Sequence, residues 1–468
     1  MKNMIDIKDI RKIYFIGIGG IGMSSLARYF KFHGKLVSGY DRTETALTRK
    51  LSEEGISVHY VDDPSLAPKD ADLVVYTPAI PREHQELNFY SGNDYQIMKR
   101  SEVLGLITYS SFNICVAGTH GKTTVTTMIA HLLRDSGYGC NAFLGGISVN
   151  YNSNFWSNDR NVCVIEADEY DRSFLKLSPD IAVVTAMDAD HLDIYGTTEA
   201  VEAAFIAFSE RLKKGGYLLT RFGLKRASDF RTENHQTYSI RDSGADICTT
   251  EIRVQNGIYV FDVRAPDWML ERLQLPMGGL HNVENMTAAV AVAKRLKIED
   301  KKIKEAVLSF KGVKRRFEYI IKPDSEERKK SNAVFIDDYA HHPEELRALI
   351  QGAKALFPDR QCILIFQPHL YSRTKDFAQG FADSLDMADQ LILLPIYPAR
   401  EIPIAGVSSK IILDKMKKSN GLLMGKNELL DWIAENVGLI RKNLIITAGA
   451  GDIDAMVEPI KELIEKKY

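Results

Sequence analysis

Short apolar runs alternate with segments of helical periodicity along most of this chain. The first run, Ile13–Ile16, is followed by a glycine-rich stretch, by an amphipathic segment at Met23–His33 and by a second apolar run at Leu36–Gly39. Short apolar runs bounded by turn residues are typical of buried strands, and the segments between them have the spacing of helices. The alternation predicts an α/β protein with mostly parallel sheets.

The same pattern continues to the end of the chain and divides it into residues 1–107, 108–314 and 315–468. Further strands are predicted at Leu73–Tyr76, the Ser101–Ile107 junction, Ile114–Ala117, Val162–Ile165, Ile181–Thr185, Ala333–Ile336, Cys362–Phe366, Gln390–Pro395 and Leu444–Ala448. Further helices are predicted at Val125–Leu133, Thr198–Lys213 and Val283–Leu296. Strand-like and turn residues are frequent in Tyr217–Leu275, which predicts added antiparallel strands there.

A glycine-rich loop, Gly17–Gly22, separates the first predicted strand from its helix. The glycines have the G-x-G-x-x-G spacing, and Asp41 follows roughly 20 residues later. Such a loop binds phosphate at a helix start, and an acid at that distance is typical of NAD-binding proteins. The residues alone predict a nucleotide site and favour NAD as its occupant.

A second loop, Gly118–Thr124, reads Gly-Thr-His-Gly-Lys-Thr-Thr and lies between the predicted strand Ile114–Ala117 and a helix. Its glycines let backbone N–H groups surround phosphate oxygens, while Lys122 can reach the terminal phosphates and Thr123 can hold a metal ion. The general phosphate-loop pattern has a glycine where this chain has Val116, so the loop is shorter than usual. A chance Gly-Lys-Thr on a surface turn is the alternative, but the order of strand, loop and helix favours ATP binding.

Two acidic clusters follow predicted strands downstream of this loop. Glu166–Glu169 ends one strand, and Asp188–Asp193 ends the next. Open α/β sheets bind ligands at the carboxyl ends of their strands, and an ATP site needs carboxylates for Mg²⁺. Either cluster alone could be a solvated turn, but together they predict a magnesium site. His191 is an unusual residue for such a site because Mg²⁺ prefers oxygen ligands, and its role stays open.

Composition excludes several other classes of protein. The 468 residues are too many for one core, which predicts two to four domains. Lys plus Arg number 60 against 62 for Asp plus Glu, so a broad basic field for nucleic acid is disfavoured. The five cysteines are far apart without a C-x-x-C pair, as in reduced cytosolic proteins. No run approaches the ~18 apolar residues that span a bilayer, so we expect a soluble, cytoplasmic protein.

With these motifs in place, the chain resembles the Mur ligase family, whose members make bacterial peptidoglycan precursors. Besides Gly118–Thr124, Glu166–Glu169 and Asp190–Asp193, the resemblance includes Gly17–Ser24, Leu280–Asn282, Arg315–Glu318, Asp337–Pro343 and Gln367–Thr374, and it runs nearly end to end. The chain departs from the family at Leu370, where arginine is common, at Tyr76–Ala79, which replaces a serine-rich turn, and at Ala186, where asparagine is frequent. These departures affect contact details more than the chemistry.

The resemblance implies three domains with the boundaries given above. The first is expected to be a Rossmann-like domain that binds a UDP-sugar, the second a P-loop ATPase-type parallel-sheet domain, and the third a Rossmann-like α/β domain for the amino acid. It reassigns the loop Gly17–Gly22 from NAD to the diphosphate of the UDP-sugar, and Asp41 to its nucleoside end. The same physics, an anion at a helix start, serves both interpretations.

The resemblance also assigns site residues. ATP contacts are expected from Gly118, Thr119, His120, Gly121, Lys122, Thr123, Thr124, His281, Asn282 and Arg316. UDP-sugar contacts are expected from Gly17, Gly19, Gly20, Gly22, Met23, Ser24 and Asp41. Metal ligands are expected to be Thr123, Glu166 and His191, the amino-acid side to comprise Tyr339, His341, His369 and Arg373, and the catalytic residues to be Lys122, His191 and Arg373.

Three of these assignments have alternatives that the sequence leaves open. His281 and Asn282 could simply cap a helix, and Arg373 could form a surface salt bridge. The amine of an incoming amino acid must lose a proton, and His191, His341 and His369 are all conceivable acceptors.

The family members with the most similar motifs use ATP and Mg²⁺ to join L-alanine to the carboxylate of UDP-N-acetylmuramate through an acyl phosphate. The nearest alternative attaches an intact murein tripeptide to the same UDP-sugar, and product mass separates the two. A nicotinamide-dependent dehydrogenase is favoured by the first glycine loop alone. A change in NADH absorbance would indicate a dehydrogenase, whereas phosphate release would indicate an ATP-dependent enzyme. A non-catalytic nucleotide-binding regulator is disfavoured by the two acidic clusters. The sequence leaves monomer or homodimer open.

Overall fold

The computed structural model describes residues 7–188, 192–255, 257–322, 333–399, 401–418 and 421–466. These residues form three mostly parallel sheets, one in each segment of the chain, which confirms the predicted α/β class with three domains. By packing, the chain divides into two compact units. One comprises residues 1–251, 261–273 and 284–309, and the other comprises 252–260, 274–283 and 310–468. The domain boundaries at 107/108 and 314/315 stay predictions.

The first sheet has five parallel strands in the order β3-β2-β1-β4-β5, all within the described range 7–188. Its strands are β1 (Lys12–Ile16), β2 (Leu36–Tyr40), β3 (Ser57–His59), β4 (Leu73–Tyr76) and β5 (Ile97–Lys99). Its helices are α1 (Ile21–Phe32), α2 (Ala46–Glu53), α3 (Gln85–Gly92) and α4 (Arg100–Ser110). The strand order reverses direction at β1, so the loop Gly17–Gly22 lies at the switch point where such sheets bind ligands.

The predicted strand junction at Ser101–Ile107 is wrong, because these residues belong to helix α4. Val103, Leu104 and Ile107 are buried together, and their spacing is that of one helix face. Glu102 accepts a hydrogen bond from the Lys99 N–H at 2.8 Å, which caps the start of the helix. An apolar run of this length fits either a strand or a helix, and only packing distinguishes them.

The second sheet has the strand order β15-β14-β13-β12-β11-β10-β6-β9-β7-β8 over the described residues. Its strands are β6 (Phe112–Ala117), β7 (Asn141–Ser148), β8 (Ser153–Trp156), β9 (Val162–Glu166), β10 (Ile181–Val184), β11 (Tyr217–Arg221), β12 (His235–Ser239), β13 (Ile247–Gln255), β14 (Ile258–Arg264) and β15 (Met269–Leu275). The helices are α5 (Lys122–Asp135), α6 (Leu192–Tyr195), α7 (Thr198–Ser209), α8 (Leu280–Arg295) and α9 (Asp300–Ser309), with 3₁₀ segments at Tyr170–Lys176 and Ala227–Asp229. Strand β6 pairs in parallel with both β9 and β10, so the loops that follow these three strands are neighbours.

The expectation of antiparallel strands after Tyr217 is wrong for β11, β12 and β13, which pair in parallel. The connections at 222–234 and 240–246 are longer than the tight loops of typical hairpins. They allow the chain to return to the starting end of the sheet, so that the next strand runs in the same direction as the one before it. Turn-rich composition is common to hairpin loops and to such returns, so it did not distinguish them.

The third sheet has the order β16-β17-β21-β18-β19-β20 within its described residues, and β16 is its antiparallel edge strand. The strands are β16 (Glu318–Ile321), β17 (Val334–Asp338), β18 (Cys362–Phe366), β19 (Gln390–Leu393), β20 (Gly421–Leu423) and β21 (Leu444–Ala448). The helices are α10 (Pro343–Leu356), α11 (Tyr371–Asp376), α12 (Ala378–Leu385), α13 (Lys410–Leu413), α14 (Lys426–Glu435), α15 (Val437–Ile440) and α16 (Val457–Glu465), with a 3₁₀ segment at Asp452–Met456. Strand β21 pairs in parallel with β17 and β18. The segments that follow β17 and β18 therefore lie at the same edge of the sheet.

A single hydrophobic core joins the first sheet to the second within the first unit. Tyr29 of α1 packs against Phe143 and Phe155, with ring centroids 5.4 and 6.4 Å apart. All five cysteines are free thiols, and four are buried while Cys248 is partly exposed. None of the helices in the described part of the chain is long and apolar enough to cross a bilayer.

Candidate active site

The loop Gly118–Thr124 has a conformation that only its glycines allow. Gly118 has a φ of 140° and Gly121 a φ of 81°, values that side chains strongly disfavour. A methyl group on Gly118 would lie 2.1 Å from the Thr185 hydroxyl oxygen, because the loop packs on the end of β10. The Thr119 N–H donates to the carbonyl of Ala186 at 3.2 Å. The loop is therefore held as a rigid cradle at the start of α5, as a phosphate site requires.

Lys122 lies at the mouth of this cradle and makes two contacts. Its Nζ donates to the Gly118 carbonyl at 2.7 Å and to Glu169 Oε1 at 2.7 Å. Glu169 is almost fully buried, so its negative charge fixes the ammonium in place. The sequence assigned no role to Glu169, although it belongs to the acidic cluster Glu166–Glu169.

Thr123 and Glu166 are brought together as predicted. The Thr123 hydroxyl donates to Glu166 Oε1 at 2.8 Å, and the Gly145 N–H donates to Oε2 at 2.9 Å. A methyl group on Gly145 would lie 2.4 Å from the carboxylate, so the absence of a side chain there makes room for Glu166. Burial raises the pKa of Glu166, and the bond from Thr123 and the charge of Lys122 oppose that rise. A further cation beside this carboxylate would stabilise its ionised form.

The donor set at this position fits magnesium. A hydroxyl and a carboxylate are oxygen ligands, which Mg²⁺ prefers, and it completes its shell with phosphate oxygens and water. Among the described residues no group of three or more His, Cys, Asp and Glu side chains could hold a metal by itself. His191, the third predicted ligand, lies outside the described residues.

The residues around the second acidic cluster contact the same loop. The Asp188 N–H donates to the Thr119 hydroxyl at 3.1 Å, and its carboxylate lies 3.9 Å from His120 Nε2. Thr185 donates to the carbonyls of His120 and Ala117. The carboxyl ends of β6 and β10 are thus tied together through Thr119, His120 and Thr185.

The first glycine loop is shaped by the end of β2. The N–H groups of Gly17 and Ile18 both donate to the Tyr40 carbonyl, at 2.8 and 2.9 Å. The Gly19 N–H donates to Asp41 Oδ2 at 2.7 Å, so this carboxylate lies inside the loop and closes it. The predicted contact of Asp41 with a nucleoside stays a prediction.

Helix α1 begins at Ile21, within the last two residues of this loop. Its first N–H groups, on Ile21, Gly22 and Met23, belong to the part of a helix that has no intrahelical acceptor. The side chains of Met23 and Ser24 are buried. Ser24 donates its backbone N–H to Gly20 and its hydroxyl to Ile21. This geometry makes the backbone N–H groups of 21–23 available to a ligand, and the predicted UDP-sugar contacts of Met23 and Ser24 stay predictions.

In the second unit, the predicted amino-acid residues share one sheet edge. Tyr339 and His341 follow β17, and His369 and Arg373 follow β18. The ring of His341 lies 5.3 Å from that of Tyr339 and 6.1 Å from that of His369, centroid to centroid. Arg373 Nη1 and His369 Nδ1 are buried and have no hydrogen-bond partner among the described residues. Buried polar atoms without a partner are rare, so the burial of Arg373 disfavours a surface salt bridge, while its contact with the amino acid stays a prediction.

The two histidines of this cluster are held neutral. Burial lowers the pKa of His369, and the positive charge of Arg373 lowers it further. Burial also lowers the pKa of His341, which Glu345 partly opposes. At neutral pH each ring therefore has one nitrogen able to accept a proton.

Two adjacent acids, the buried Asp337 and the partly buried Asp338, precede Tyr339 and His341 in the chain. Asp337 accepts a hydrogen bond from the Thr447 hydroxyl at 2.6 Å, and burial raises its pKa to about 7. Asp338 accepts from the backbone of Phe317 and Ala340, and burial raises its pKa to about 6. Arg315 lies 3.5 Å from Asp337. These contacts fix the segment that carries Tyr339 and His341.

The predicted adenine-side residues also lie in the second unit. Asn282 Nδ2 donates to the Gly278 carbonyl at 2.6 Å, so its side chain is a donor near the start of α8. Helix α8 begins at Leu280, so Asn282 lies inside its first turn and not at the N-cap position, which argues against the capping alternative. His281 is exposed, and the Arg316 guanidinium lies 5.4 Å from the centre of the Tyr339 ring. Their roles toward ATP stay predictions.

Three family models match successive parts of the chain. The family's catalytic domain matches residues 12–110, the middle domain residues 116–293 and the glutamate ligase domain residues 315–453. The chain belongs to the Mur ligase family.

Comparison with individual proteins shows which Mur ligases this chain is similar to. The UDP-N-acetylmuramate–L-alanine ligase of Flavobacterium johnsoniae is 45% identical over 467 residues, which cover 99% of this chain and 100% of the relative. That of Phocaeicola vulgatus is 45% identical over 470 residues, with 99% and 100% coverage. Among solved structures, the UDP-N-acetylmuramate–alanine ligase of Thermotoga maritima matches with a TM-score of 0.80 at 28% identity, covering 96% of this chain and 98% of that one. A murein peptide ligase from Psychrobacter arcticus shares the fold, with a TM-score of 0.64 at 20% identity and 98% and 99% coverage.

Sequence reasoning missed residues in each of the two units of this Mur ligase. Glu169 and Asp338 lie in polar clusters that the sequence singled out, but nothing in one sequence shows which carboxylate of a cluster faces a lysine or a backbone donor. Tyr397 stacks on His369 with ring centroids 5.7 Å apart, and no motif marks it. Leu370, where the family commonly has arginine, has a φ of 70° and donates its N–H to Tyr397. The backbone at this departure is therefore strained but anchored.

Proposed function

We propose that the protein is an ATP-dependent amide-bond-forming ligase that joins L-alanine to the carboxylate of UDP-N-acetylmuramate, releasing ADP and phosphate. Relatives that are 45% identical over nearly the whole chain are named for this reaction. The proposal places the protein in cytoplasmic peptidoglycan precursor synthesis, where its substrates are small molecules.

One observation in the structure carries the chemistry. Lys122, Thr123 and Glu166 lie around one glycine-shaped loop, with Lys122 tied to Glu169 and Thr123 to Glu166. A cation, a hydroxyl and a carboxylate around a phosphate cradle are the parts that phosphoryl transfer from ATP requires. A dehydrogenase needs none of them in this arrangement.

Thr123 and Glu166 would hold magnesium, which would neutralise negative charge on the phosphates of ATP. Lys122 stabilises the negative charge that spreads over the transferred γ-phosphate. Glu169 keeps the ammonium of Lys122 at the loop and prevents it from turning into solvent. The backbone N–H groups of the loop bind the remaining phosphate oxygens.

The reaction needs an activated carboxylate because oxide is a poor leaving group. A carboxylate oxygen of UDP-N-acetylmuramate attacks the γ-phosphorus, and the bond to the bridging oxygen of ADP breaks. The alanine nitrogen then attacks the acyl carbon, the carbon–oxygen bond to phosphate breaks, and inorganic phosphate leaves. The amine must be neutral when it attacks, so its proton has to be removed first.

His341 and His369 are candidate acceptors for that proton, because burial and Arg373 keep their rings neutral. Arg373 carries a buried, unpartnered donor and is proposed to bind the carboxylate of alanine or an acyl-phosphate oxygen. Its planar fork suits such an anion better than a lysine would.

Two alternatives have less support. Murein peptide ligases, which include structural relatives at 20 and 24% identity, share the fold, whereas the relatives at 45% identity are alanine ligases. The first glycine loop alone favours a dehydrogenase, but its acid, Asp41, is hydrogen-bonded to the Gly19 N–H.

The proposal is tested by phosphate release from ATP in the presence of Mg²⁺ and UDP-N-acetylmuramate. We expect release that depends on L-alanine and yields one ADP for each phosphate. Release with the murein tripeptide but not with L-alanine would assign the protein to recycling instead. NADH-dependent absorbance change without phosphate release would overturn the ligase assignment.

A further inference from the structure

Arg100 is a cation that neither the motifs nor the site residues above include. It is the first residue of helix α4, and its side chain packs against the first glycine loop. A methyl group on Gly22 would lie 2.9 Å from Arg100 Nη1 and 3.2 Å from its Cδ. The guanidinium therefore lies directly beside Gly22, one of the three residues in the first turn of α1.

The N–H donors of the Arg100 guanidinium are available to a ligand. The nearest acid is Asp168, whose Oδ2 is 3.9 Å from Arg100 Nη2, too far for a hydrogen bond. Within the described residues the Arg100 guanidinium makes no hydrogen bond, and about a quarter of its side chain is exposed. Arg100 thus offers a planar set of donors to a ligand at the loop.

Helix α4 holds Arg100 at a fixed position. Gly105 of this helix packs so closely on the 3₁₀ segment Tyr170–Lys176 that a methyl group there would lie 2.8 Å from the Lys176 carbonyl. Lys176 Nζ donates to Ser101 and Glu102 in the first turn of α4. The helix is thus fixed between the first glycine loop and the segment that follows Glu166–Glu169.

The glycine loop needs such a cation. Its sequence, Gly-Ile-Gly-Gly-Ile-Gly, has no charged side chain. The nearest arginine on α1, Arg28, is occupied by Glu54 and Asn154. Three backbone N–H groups and a helix dipole bind one phosphate group, but a diphosphate carries more charge than these partial charges balance.

We propose that Arg100 binds the diphosphate of the sugar nucleotide and so sets the affinity and the position of the substrate. The inference rests on the assignment of Gly17–Gly22 to the UDP-sugar. It adds a side chain from α4 to a site that otherwise consists of backbone groups. Asp168, whose Oδ2 lies 3.9 Å from Arg100 Nη2, attracts the guanidinium without satisfying its donors.

The test compares UDP with UDP-N-acetylmuramate as titrants, by calorimetry, for the full-length protein and its Arg100→Gln variant. Both ligands contain the diphosphate, and only the second contains the reacting carboxylate. Loss of a charge-assisted contact predicts that both dissociation constants rise by the same factor, about 10- to 100-fold. Arg100→Lys should recover part of the loss, since it keeps the charge but not the planar fork.

Lys31→Gln is the matched control, because Lys31 is a cation in the last turn of α1 that contacts the Gly55 carbonyl instead. It should bind UDP like the parent. The affinity for an ATP analogue should be unchanged in all variants, and unaltered melting temperatures exclude loss of fold.

Three results would overturn the inference. Unchanged UDP affinity in Arg100→Gln would show that Arg100 is only a structural partner of Asp168. A loss confined to UDP-N-acetylmuramate would place Arg100 at the carboxylate. A parent protein that releases phosphate with alanine but has no affinity for UDP would refute the diphosphate site while leaving the ligase function intact.

Discussion

Lys122 Nζ lies 2.7 Å from Glu169 Oε1, and the exposed fractions of the two side chains are 15% and 1%. The pair places a positive charge at the opening of the phosphate loop and balances it with an acid that solvent scarcely reaches. Because the Gly118 carbonyl accepts from the same ammonium, Lys122 is fixed from two sides before ATP binds. Phosphoryl-transfer sites stabilise the transition state mainly through such preorganised charge.

We expect Lys122→Ala to lower kcat/KM for ATP by about 10²- to 10³-fold, as the loss of one preorganised donor does elsewhere. Steady-state phosphate release measures this effect. Lys176→Ala, which removes a cation from a surface pair, is the control and should stay within about twofold of the parent. Near-parent rates for Lys122→Ala, in protein that melts normally, would refute the role of the loop.

Glu169 is expected to act through Lys122. Glu169→Gln keeps an oxygen that can accept from Lys122, so activity should fall modestly. Glu169→Ala leaves the ammonium held by the Gly118 carbonyl alone and should reduce kcat about tenfold or more. The difference in kcat between the two variants measures how much the positioning of Lys122 contributes to turnover. Equal losses in both, with equal melting temperatures, would contradict this role.

Thr123 and Glu166 are predicted to set the magnesium requirement. Removal of an oxygen ligand by Glu166→Ala or Thr123→Val should raise the Mg²⁺ concentration for half-maximal rate and slow turnover at saturating metal. Thr123→Ser retains the hydroxyl and serves as control. Magnesium titrations that superimpose for parent and Glu166→Ala would place the metal elsewhere.

The pH dependence should report the histidines that follow β17 and β18. Burial and Arg373 lower the pKa of His369, so the neutral, proton-accepting ring persists below its usual titration range. Arg373→Ala removes a positive charge, which raises that pKa and moves the acidic limb of the alanine kcat/KM profile to higher pH. ATP affinity should stay unchanged in this variant. An acidic limb that does not move would exclude His369 as the titrating group.

Most of the phosphate loop and its neighbours could be predicted from sequence because the signal is local. Strand, glycines and helix are consecutive in Ile114–Leu133, and the structure has β6, the loop and α5 there. The link of Thr123 to Glu166 follows because parallel strands β6 and β9 end at the same sheet edge. The parallel pairing of β11 to β13 and the helical state of Ser101–Ile107 depend on packing that one apolar run does not encode.

The direction of individual side chains also could not be predicted from the sequence. Ser24 lies in a nucleotide-binding motif, but its hydroxyl is used by the protein, since Asn154 from β8 donates to it at 3.2 Å. Glu169 and Arg100 are far in sequence from the loops that they support, and no spacing rule connects them. Only the fold of the chain shows that α4 brings Arg100 to Gly22.

The central claim, acyl phosphate formation before amide formation, is tested most directly by isotope transfer. UDP-N-acetylmuramate with ¹⁸O in both carboxylate oxygens is incubated with ATP, Mg²⁺ and L-alanine, and the phosphate and the nucleotide product are analysed by mass spectrometry. Attack of the carboxylate on the γ-phosphorus predicts one ¹⁸O in inorganic phosphate, one in the new amide carbonyl and an alanyl product mass. Unlabelled phosphate, or labelled phosphate only with the murein tripeptide, would contradict the account.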